Sequence, residues 1–320
     1  MSNHWEKYWS EGHLTSFCGD FEENYEDEYS TFWKEKFSEV TAGNSVLDLA
    51  TGNLALPVLG LSIPKDDIKY YAVDLSKISK NKICEKKSQL KEILNKIELF
   101  DQLNIENLNI FENEKFSLIS SMYGFEYANE KKVLAEVSRL LSKGGRFVAI
   151  AHSENSIILN RNNQSLRCLN SILAKKGLLD TLERMSKAMR SIKSQKDLVD
   201  MKFNNVAEKL RSQLNQQLSG LDNSYKELFW ETATPLFIQN FFSSLIGTNH
   251  KTRVDWINKK RRELHKHSLR LLDLKHAAIN SMRKEIILNE LETRNLELIT
   301  WNTFLKDGHN VGAVIELKKV

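Results

Sequence analysis

Along the first 38 residues the apolar positions are aromatic and recur every three to four residues, with Tyr25, Tyr29, Phe32, Trp33 and Phe37 on one helical face among acidic neighbours. From residue 45 to 154 the period changes repeatedly. Ser45–Leu49, Lys69–Asp74, Phe116–Ser120 and Arg146–Ala151 are short apolar runs that read as strands, and Lys77–Asn95 and Asn129–Leu141 between them carry helical spacing. Strands alternating with helices at this pitch predict βαβ units and a parallel sheet. Beyond residue 155 the strand signal stops. Leu178, Leu182, Met185, Met189 and Ile192 keep helical spacing, as do Phe203, Val206, Leu210, Leu214 and Leu218, and then Leu271, Leu272, Ala278, Ile279, Met282 and Ile286. Strand texture returns at Leu296–Phe304 and Val311–Leu317, separated by Lys306-Asp307-Gly308, which predicts an antiparallel hairpin.

Composition narrows the class. Apolar residues at 41% and charged residues at 28% are those of an ordinary soluble globular chain, which excludes wholesale disorder, collagen-like repeats and a membrane-embedded fold. With only three prolines, a helix-rich protein of one large or two small domains is expected. Residues 155–290 hold 24 Lys+Arg against 13 Asp+Glu, a net of +11, while the rest of the chain holds 22 against 29, a net of −7. The charge division coincides with the change of texture and marks a boundary. Cys18, Cys84 and Cys168 lie too far apart for a zinc ribbon or a disulfide framework, so reduced thiols in the cytoplasm are expected. The segment Met1–Ser10 lacks the pattern of a signal peptide. No apolar run reaches the ~18 residues of a membrane span.

The informative stretch is Val46–Ala55, VLDLATGNLA. A strand carrying an acidic residue runs into a tight loop that opens a helix, so backbone amides face any polar ligand at the carboxyl edge of a parallel sheet. Gly52 permits close backbone approach. Asp74 ends the next strand, 22 positions later, where a carboxylate can accept from both hydroxyls of a ribose. The pair points to an adenosine-containing ligand. A nicotinamide dinucleotide is the rival; the terminal hairpin and the absence of a full GxGxxG weigh against it.

These residues resemble the class I S-adenosylmethionine-dependent methyltransferases, most closely the small-molecule and quinone branch. The resemblance extends to Asn104–Leu108 (NIENL), Glu112–Ser121 (ENEKFSLISS), Tyr123–Glu126 (YGFE) and Glu136–Phe147 (EVSRLLSKGGRF), and covers about residues 45–154 and 265–320. It implies a Rossmann-like, mostly parallel α/β sheet closed by the C-terminal antiparallel hairpin, with a large helical insertion after the fifth strand. The expected parts are an N-terminal helical flap (1–44), a cofactor-binding core (45–154 and 266–320) and a helical cap (155–265). S-Adenosylmethionine is the implied cofactor. Asp48, Ala50 and Gly52 would shape the loop around its methionine part, Asp74 and Leu75 would lie at the ribose, Asn104 would meet the adenine amine, Ile105 would pack on the ring, and Ser121 would lie near the reactive methyl. Ala50 and Leu54 stand where the family has glycine-like residues, which places a bulky leucine side chain where backbone should approach the ligand. Pro57 and Gly60 predict a short or bent helix after the loop.

His152, after the fifth strand, and Tyr123 are the candidates for catalysis; a histidine there can take a proton from an acceptor. Tyr8, Tyr25 and His152 are the candidates for acceptor binding, with Tyr8, Trp9, Thr15, Ser16, Phe17 and Tyr25 forming a flap; the alternative for these aromatics is ordinary packing on the sheet. Lys251–Arg270 holds eight basic and two acidic residues, suited to phosphates or to a solvated helix face. The apolar cluster Phe229, Trp230, Leu236, Phe237, Ile238, Phe241, Phe242, Leu245 and Ile246 reads as core, acceptor pocket or homodimer face. No metal site is expected, because His265 and His267 would not face one way on a helix. The expected function is methyl transfer to a small-molecule or peptide-like acceptor, without nucleic-acid or membrane partners. A catalytically inactive binding or regulatory protein and a nucleic-acid methyltransferase remain the alternatives.

Overall fold

The structure, a computed structural model, describes residues 3–16, 23–65, 67–200, 204–244 and 246–320; Phe17, Cys18, Phe203 and Leu245 of the sequence reading lie outside them. Its frame is a seven-stranded sheet. Ser45–Leu49 (β1), Lys69–Val73 (β2), Ile97–Phe100 (β3), Phe116–Met122 (β4) and Leu141–Ala151 (β5) run parallel, and Leu296–Lys306 (β6) and His309–Lys319 (β7) complete it in the order β3-β2-β1-β4-β5-β7-β6. Strand β7 is antiparallel to both β5 and β6, so the terminal hairpin closes the sheet. Register places Val46 beside Tyr70 on β2 and beside Leu118 on β4.

The central strands are apolar on both faces, as a covered parallel sheet requires. Alternation sends Val46, Tyr70 and Val148 to one side and Leu47, Tyr71 and Phe147 to the other. On the first side pack helices Asp27–Ser38 (α2) and Ala55–Leu61 (α3), which follow the N-terminal helix Asn3–Ser10 (α1). The aromatic stripe Tyr29, Trp33 and Phe37 is therefore the buried face of α2. Helix α3 has seven residues, with Pro57 in its first turn, where a missing N–H costs no helical hydrogen bond.

The stretch expected as one helix, Lys77–Asn95, is two: Lys80–Lys86 (α4), capped by Ser79, and Lys91–Asn95 (α5), separated by a break at Lys87. Only Ile83 and Leu94 of these are buried, so no continuous stripe holds a longer helix together. Strand β3 is four residues, too short to show a period. Helix Glu130–Leu140 (α6) hands the chain directly to β5, which begins five residues before the expected Arg146–Ala151; the extra length is absorbed by a register shift against β4 between Phe116 and Leu118.

The chain divides into two compact units, residues 1–159 with 274–320, and residues 160–273. The chain leaves the first within Ile157–Leu173 (α7), continues through Leu178–Ala188 (α8), Gln195–Asp200 (α9), Asn205–Tyr225 (α10), Glu227–Glu231 (α11) and Thr234–Ser243 (α12), and returns within His250–Ala277 (α13) to Ser281–Glu292 (α14). The second unit has its own core, built on Leu179, Leu182, Leu210, Leu214, Phe229 and Phe241. The apolar cluster of α11 and α12 is thus split: Phe229, Ile238 and Phe241 are buried, whereas Trp230 and Leu236 are more than half exposed. The basic stretch of α13 is split too. Arg253 is fully buried and donates to the carbonyls of Met189 and Asn249, and the Lys260 ammonium is buried against the Thr232 carbonyl at 2.8 Å. Among the described residues no helix is long and apolar enough to cross a membrane.

Candidate active site

The exits of β1 and β2 are tied to each other. The Thr51 amide donates to the Val73 carbonyl at 3.0 Å, and the Gly52 amide donates to Asp74 Oδ2 at 2.7 Å. The other carboxylate oxygen of Asp74 accepts from the Ser76 amide at 2.7 Å. A carboxylate has about four acceptor positions, so the two backbone bonds and a further one from the Ser76 side chain leave about one open. Burial holds the Asp74 carboxyl above its ordinary range despite these donors. Asp48 on β1 is also buried. Its Oδ1 accepts from the Ser120 hydroxyl at 2.7 Å, yet burial pushes its pKa up to about 7, with a smaller push from the Asp74 charge. The loop after β3 joins the same edge, because the Leu103 amide donates to the Asp74 carbonyl at 3.0 Å. Beyond it Asn104 is exposed and closes an Asx turn onto the Glu106 amide, while Ile105 is buried in the core. Leu75, between Asp74 and Ser76, is half-buried.

The loop from Ala50 to Leu54 departs from the sequence expectation at both ends. Ala50, Gly52 and Leu54 all have left-handed backbone (φ 53°, 54° and 71°). The Leu54 side chain does not enter the mouth of the loop; it is fully buried in the core with Trp33, Leu56 and Val58. What approaches Gly52 is the indole of Trp9: a Cβ at Gly52 would stand 2.6 Å from Trp9 Cζ2 and Cη2. The neighbouring Asn53 is 1% exposed, and its Nδ2 donates to the carbonyls of Trp9 at 2.9 Å and His13 at 2.6 Å. Two carbonyl partners require the amide nitrogen there, which leaves Asn53 Oδ1 buried and without a partner among the described residues. Trp5 stacks near Trp9 and meets the edge of Tyr127 at 5.8 Å, so the N-terminal segment spans from the β1 loop to the turn after β4. Tyr8 braces this segment through a 3.0 Å bond from its hydroxyl to the Thr15 carbonyl. Tyr25 is buried in the core, and burial pushes its phenol well above the ordinary range; ordinary packing accounts for it.

At the ends of β4 and β5, Ser121 is wholly engaged: its hydroxyl donates to the Leu49 carbonyl at 2.9 Å and accepts from the Phe125 amide at 3.0 Å. Gly124 lies against Ala50, where a Cβ would come within 2.6 Å of the alanine methyl. These contacts set the turn after β4 beside the β1 loop. Tyr123 donates its hydroxyl to the Val311 carbonyl at 2.9 Å, pairs with the Tyr29 hydroxyl at 2.9 Å, and stacks on His152 with ring centroids 4.4 Å apart. His152 is buried, with its backbone held between Glu126 Oε1 (2.9 Å) and the Ile279 amide (2.8 Å). Burial pushes its imidazole down to about 3, so it is neutral at physiological pH. Its Nδ1 has no partner among the described residues. Glu126 is buried as well; desolvation raises its carboxyl to about 7 against the pull of the His152 amide and Arg283, and its Oε2 has no partner among the described residues.

The structure therefore brings Asp48, Ala50, Gly52, Asp74, Ser121, Tyr123 and His152 to one carboxyl edge, sets Trp9 of the expected flap on Gly52, and adds Asn53 and Glu126, which sequence reasoning did not single out. The trace of Glu126 in the sequence is a lone acid inside the aromatic run YGFEY. Residues 47–149, about a third of the chain, match the family described as methyltransferase domain.

Residues 47–149 form a methyltransferase domain.

The cofactor that goes with this methyltransferase domain is S-adenosylmethionine. The donor set fits it: Asp74 retains an acceptor position for a ribose hydroxyl, and Asn53 Oδ1, in the adjacent loop, is an acceptor orphaned among the described residues. No curated protein matches the chain. Among solved structures, the geranyl diphosphate C-methyltransferase from Streptomyces coelicolor A3(2) is 10% identical, with 100% of this chain and 98% of that chain covered at a TM-score of 0.46. A SAM-dependent methyltransferase from Aquifex aeolicus is 19% identical over 39% of this chain and 64% of that chain, with a TM-score of 0.33. The [4+2]-cyclase SpnF is 15% identical over 38% of this chain; the chain spans 43% of that protein's length, at a TM-score of 0.31.

Proposed function

We propose that the protein transfers the methyl group of S-adenosylmethionine to a small-molecule or peptide-like acceptor. The observation that carries this reading is the junction of Gly52 with Asp74 at the carboxyl edge of β1 and β2, within a methyltransferase domain. The cofactor supplies an electrophilic methyl on a sulfonium, so much of the catalysis is positioning. In this reading Asp74 holds the ribose, the loop 50–54 holds the amino-acid end, and Asn104 and Ile105 receive the adenine. The acceptor end is formed by Tyr123, Glu126 and His152. A base works best with a pKa near the working pH; Glu126, at about 7, meets this condition, and His152, at about 3, serves better as a neutral positioning group than as the base.

Residues 160–273 are the part we assign to acceptor selection. Burial of Arg253 and Lys260, and the pairing of Arg261 with Glu183, withdraw three of the eight cations of Lys251–Arg270, which supports an uncharged or amphiphilic acceptor over nucleic acid. The exposed Trp230 and Leu236 suit a second copy or the acceptor itself. The free thiols of Cys84 and Cys168 suit a cytoplasmic setting. Calorimetric titration with S-adenosylhomocysteine tests the cofactor half: one-to-one binding is expected, and a flat titration refutes it. Incubation of cell extract with methyl-labelled S-adenosylmethionine, followed by mass spectrometry, tests transfer. Binding without any labelled product favours the inactive, regulatory alternative.

A further inference from the structure

Asn53 faces two ways, and both faces are constrained. Its amide nitrogen is spent on the carbonyls of Trp9 and His13, which belong to the N-terminal segment. Its amide oxygen is buried in the loop that follows β1 and has no partner among the described residues. A buried acceptor without a donor is costly, and proteins leave few of them. The oxygen is therefore matched to a donor that arrives with a ligand. The same loop carries the Gly52 amide bonded to Asp74, so a nucleoside whose ribose sits on Asp74 directs its 5′ substituent along residues 51–53. In S-adenosylmethionine that substituent ends in an α-ammonium and an α-carboxylate, of which the ammonium donates and never accepts.

We propose that Asn53 Oδ1 binds the α-ammonium of the cofactor, while Asn53 Nδ2 ties residues 3–16 over the same loop, so that cofactor binding and closure of the N-terminal segment are one event. This rests on the cofactor reading above. The Trp9 indole on Gly52 is the roof of the closed state, and glycine is required at 52 because any side chain would strike that indole. A cationic group at Oδ1 polarises the amide and strengthens the two bonds that its nitrogen donates. The ligand end of the clasp recognises an amino acid attached to a nucleoside; a nucleoside with a plain thioether at its 5′ position lacks the ammonium and leaves Oδ1 unpaired.

The test compares two probes by calorimetry at pH 7.5, S-adenosylhomocysteine and 5′-methylthioadenosine, with hydrogen–deuterium exchange of residues 3–16 read alongside. In Asn53→Ala, S-adenosylhomocysteine should bind about 10- to 100-fold more weakly, the scale of a hydrogen bond to a charged group, and 5′-methylthioadenosine should change less than about threefold. In the unaltered protein S-adenosylhomocysteine, but not 5′-methylthioadenosine, should slow exchange in residues 3–16. Asn53→Asp keeps an acceptor and loses the amide donor, so it should retain affinity for S-adenosylhomocysteine while losing that protection. Equal losses for both probes in Asn53→Ala, or no loss for either, overturn the assignment. Tight binding with no protection of residues 3–16 overturns the coupling. If neither probe binds the unaltered protein, the cofactor reading itself falls.

Discussion

Replacing Leu54 with alanine and with glycine sets two opposing effects against each other at the exit of β1. The side chain is fully buried in the core that also holds Trp33, Leu56 and Val58, and the backbone is left-handed with φ 71°. Truncation of a buried leucine to alanine costs about 2.7–5 kcal/mol in lost transfer energy and cavity. Alanine keeps the left-handed penalty of about 1–2 kcal/mol. Glycine removes that penalty but returns about 0.5–1 kcal/mol through the freedom of the unfolded chain. The cavity wins in both cases. Leu54→Ala should lose about 3–4 kcal/mol, and Leu54→Gly about 2–3 kcal/mol, with glycine the better of the two. Urea unfolding read by hydrogen exchange of peptides covering residues 45–61 follows this unit separately from the other. Affinity for S-adenosylhomocysteine under native conditions should hold in both variants, because the side chain faces the core. Stability of Leu54→Gly equal to or above that of the unaltered protein would falsify the packing argument, and alanine outperforming glycine would refute the backbone one.

Asp48→Asn should flatten the dependence of stability on pH. The folded protein holds the Asp48 proton more tightly than the unfolded chain does, so its favourable share is complete below about pH 4 and is lost as pH rises to about 7. At about 1.4 kcal/mol per unit the loss reaches at most about 4 kcal/mol, and Glu126 acts in the same direction. Urea midpoints between pH 4.5 and 7.5 that fall equally in variant and parent would contradict it. Asp74→Ala should weaken 5′-methylthioadenosine and S-adenosylhomocysteine alike, by about 1.5–3 kcal/mol; calorimetry showing unchanged affinity removes Asp74 from the site. Lys260→Ala should destabilise residues 160–273 by about 1–3 kcal/mol through the orphaned Thr232 carbonyl, whereas exposed Lys259→Ala should stay within about 0.5 kcal/mol. Limited proteolysis at graded urea concentrations separates the two, and equal effects would show that the Lys260 bond contributes nothing.

The order of strands and helices from residue 45 to 154, the terminal hairpin and the acid at each of the first two strand ends were legible in the chain, because a sheet covered on both faces demands apolar runs of strand length, and a backbone leaving such a strand must turn. Element boundaries were less legible where a pattern was too short, as in β3, or lacked a stripe, as between α4 and α5. The direction in which a side chain points was not legible at all. Leu54 reads as an obstruction to a ligand, yet the left-handed turn carries it into the core; Gly52 reads as space for a ligand, yet Trp9, 43 positions earlier, takes that space. The eight basic residues of Lys251–Arg270 read as one patch until burial withdraws Arg253 and Lys260 from it. Glu126 and His152 acquire opposite shifts from the same burial, because desolvation removes whichever form is charged. Period and spacing are local properties that a sequence carries directly. Desolvation, an orphaned acceptor such as Asn53 Oδ1 and a hydrogen bond from Tyr123 to Val311, 188 positions away, depend on which distant segment the fold sets alongside, and only the tertiary structure decided them.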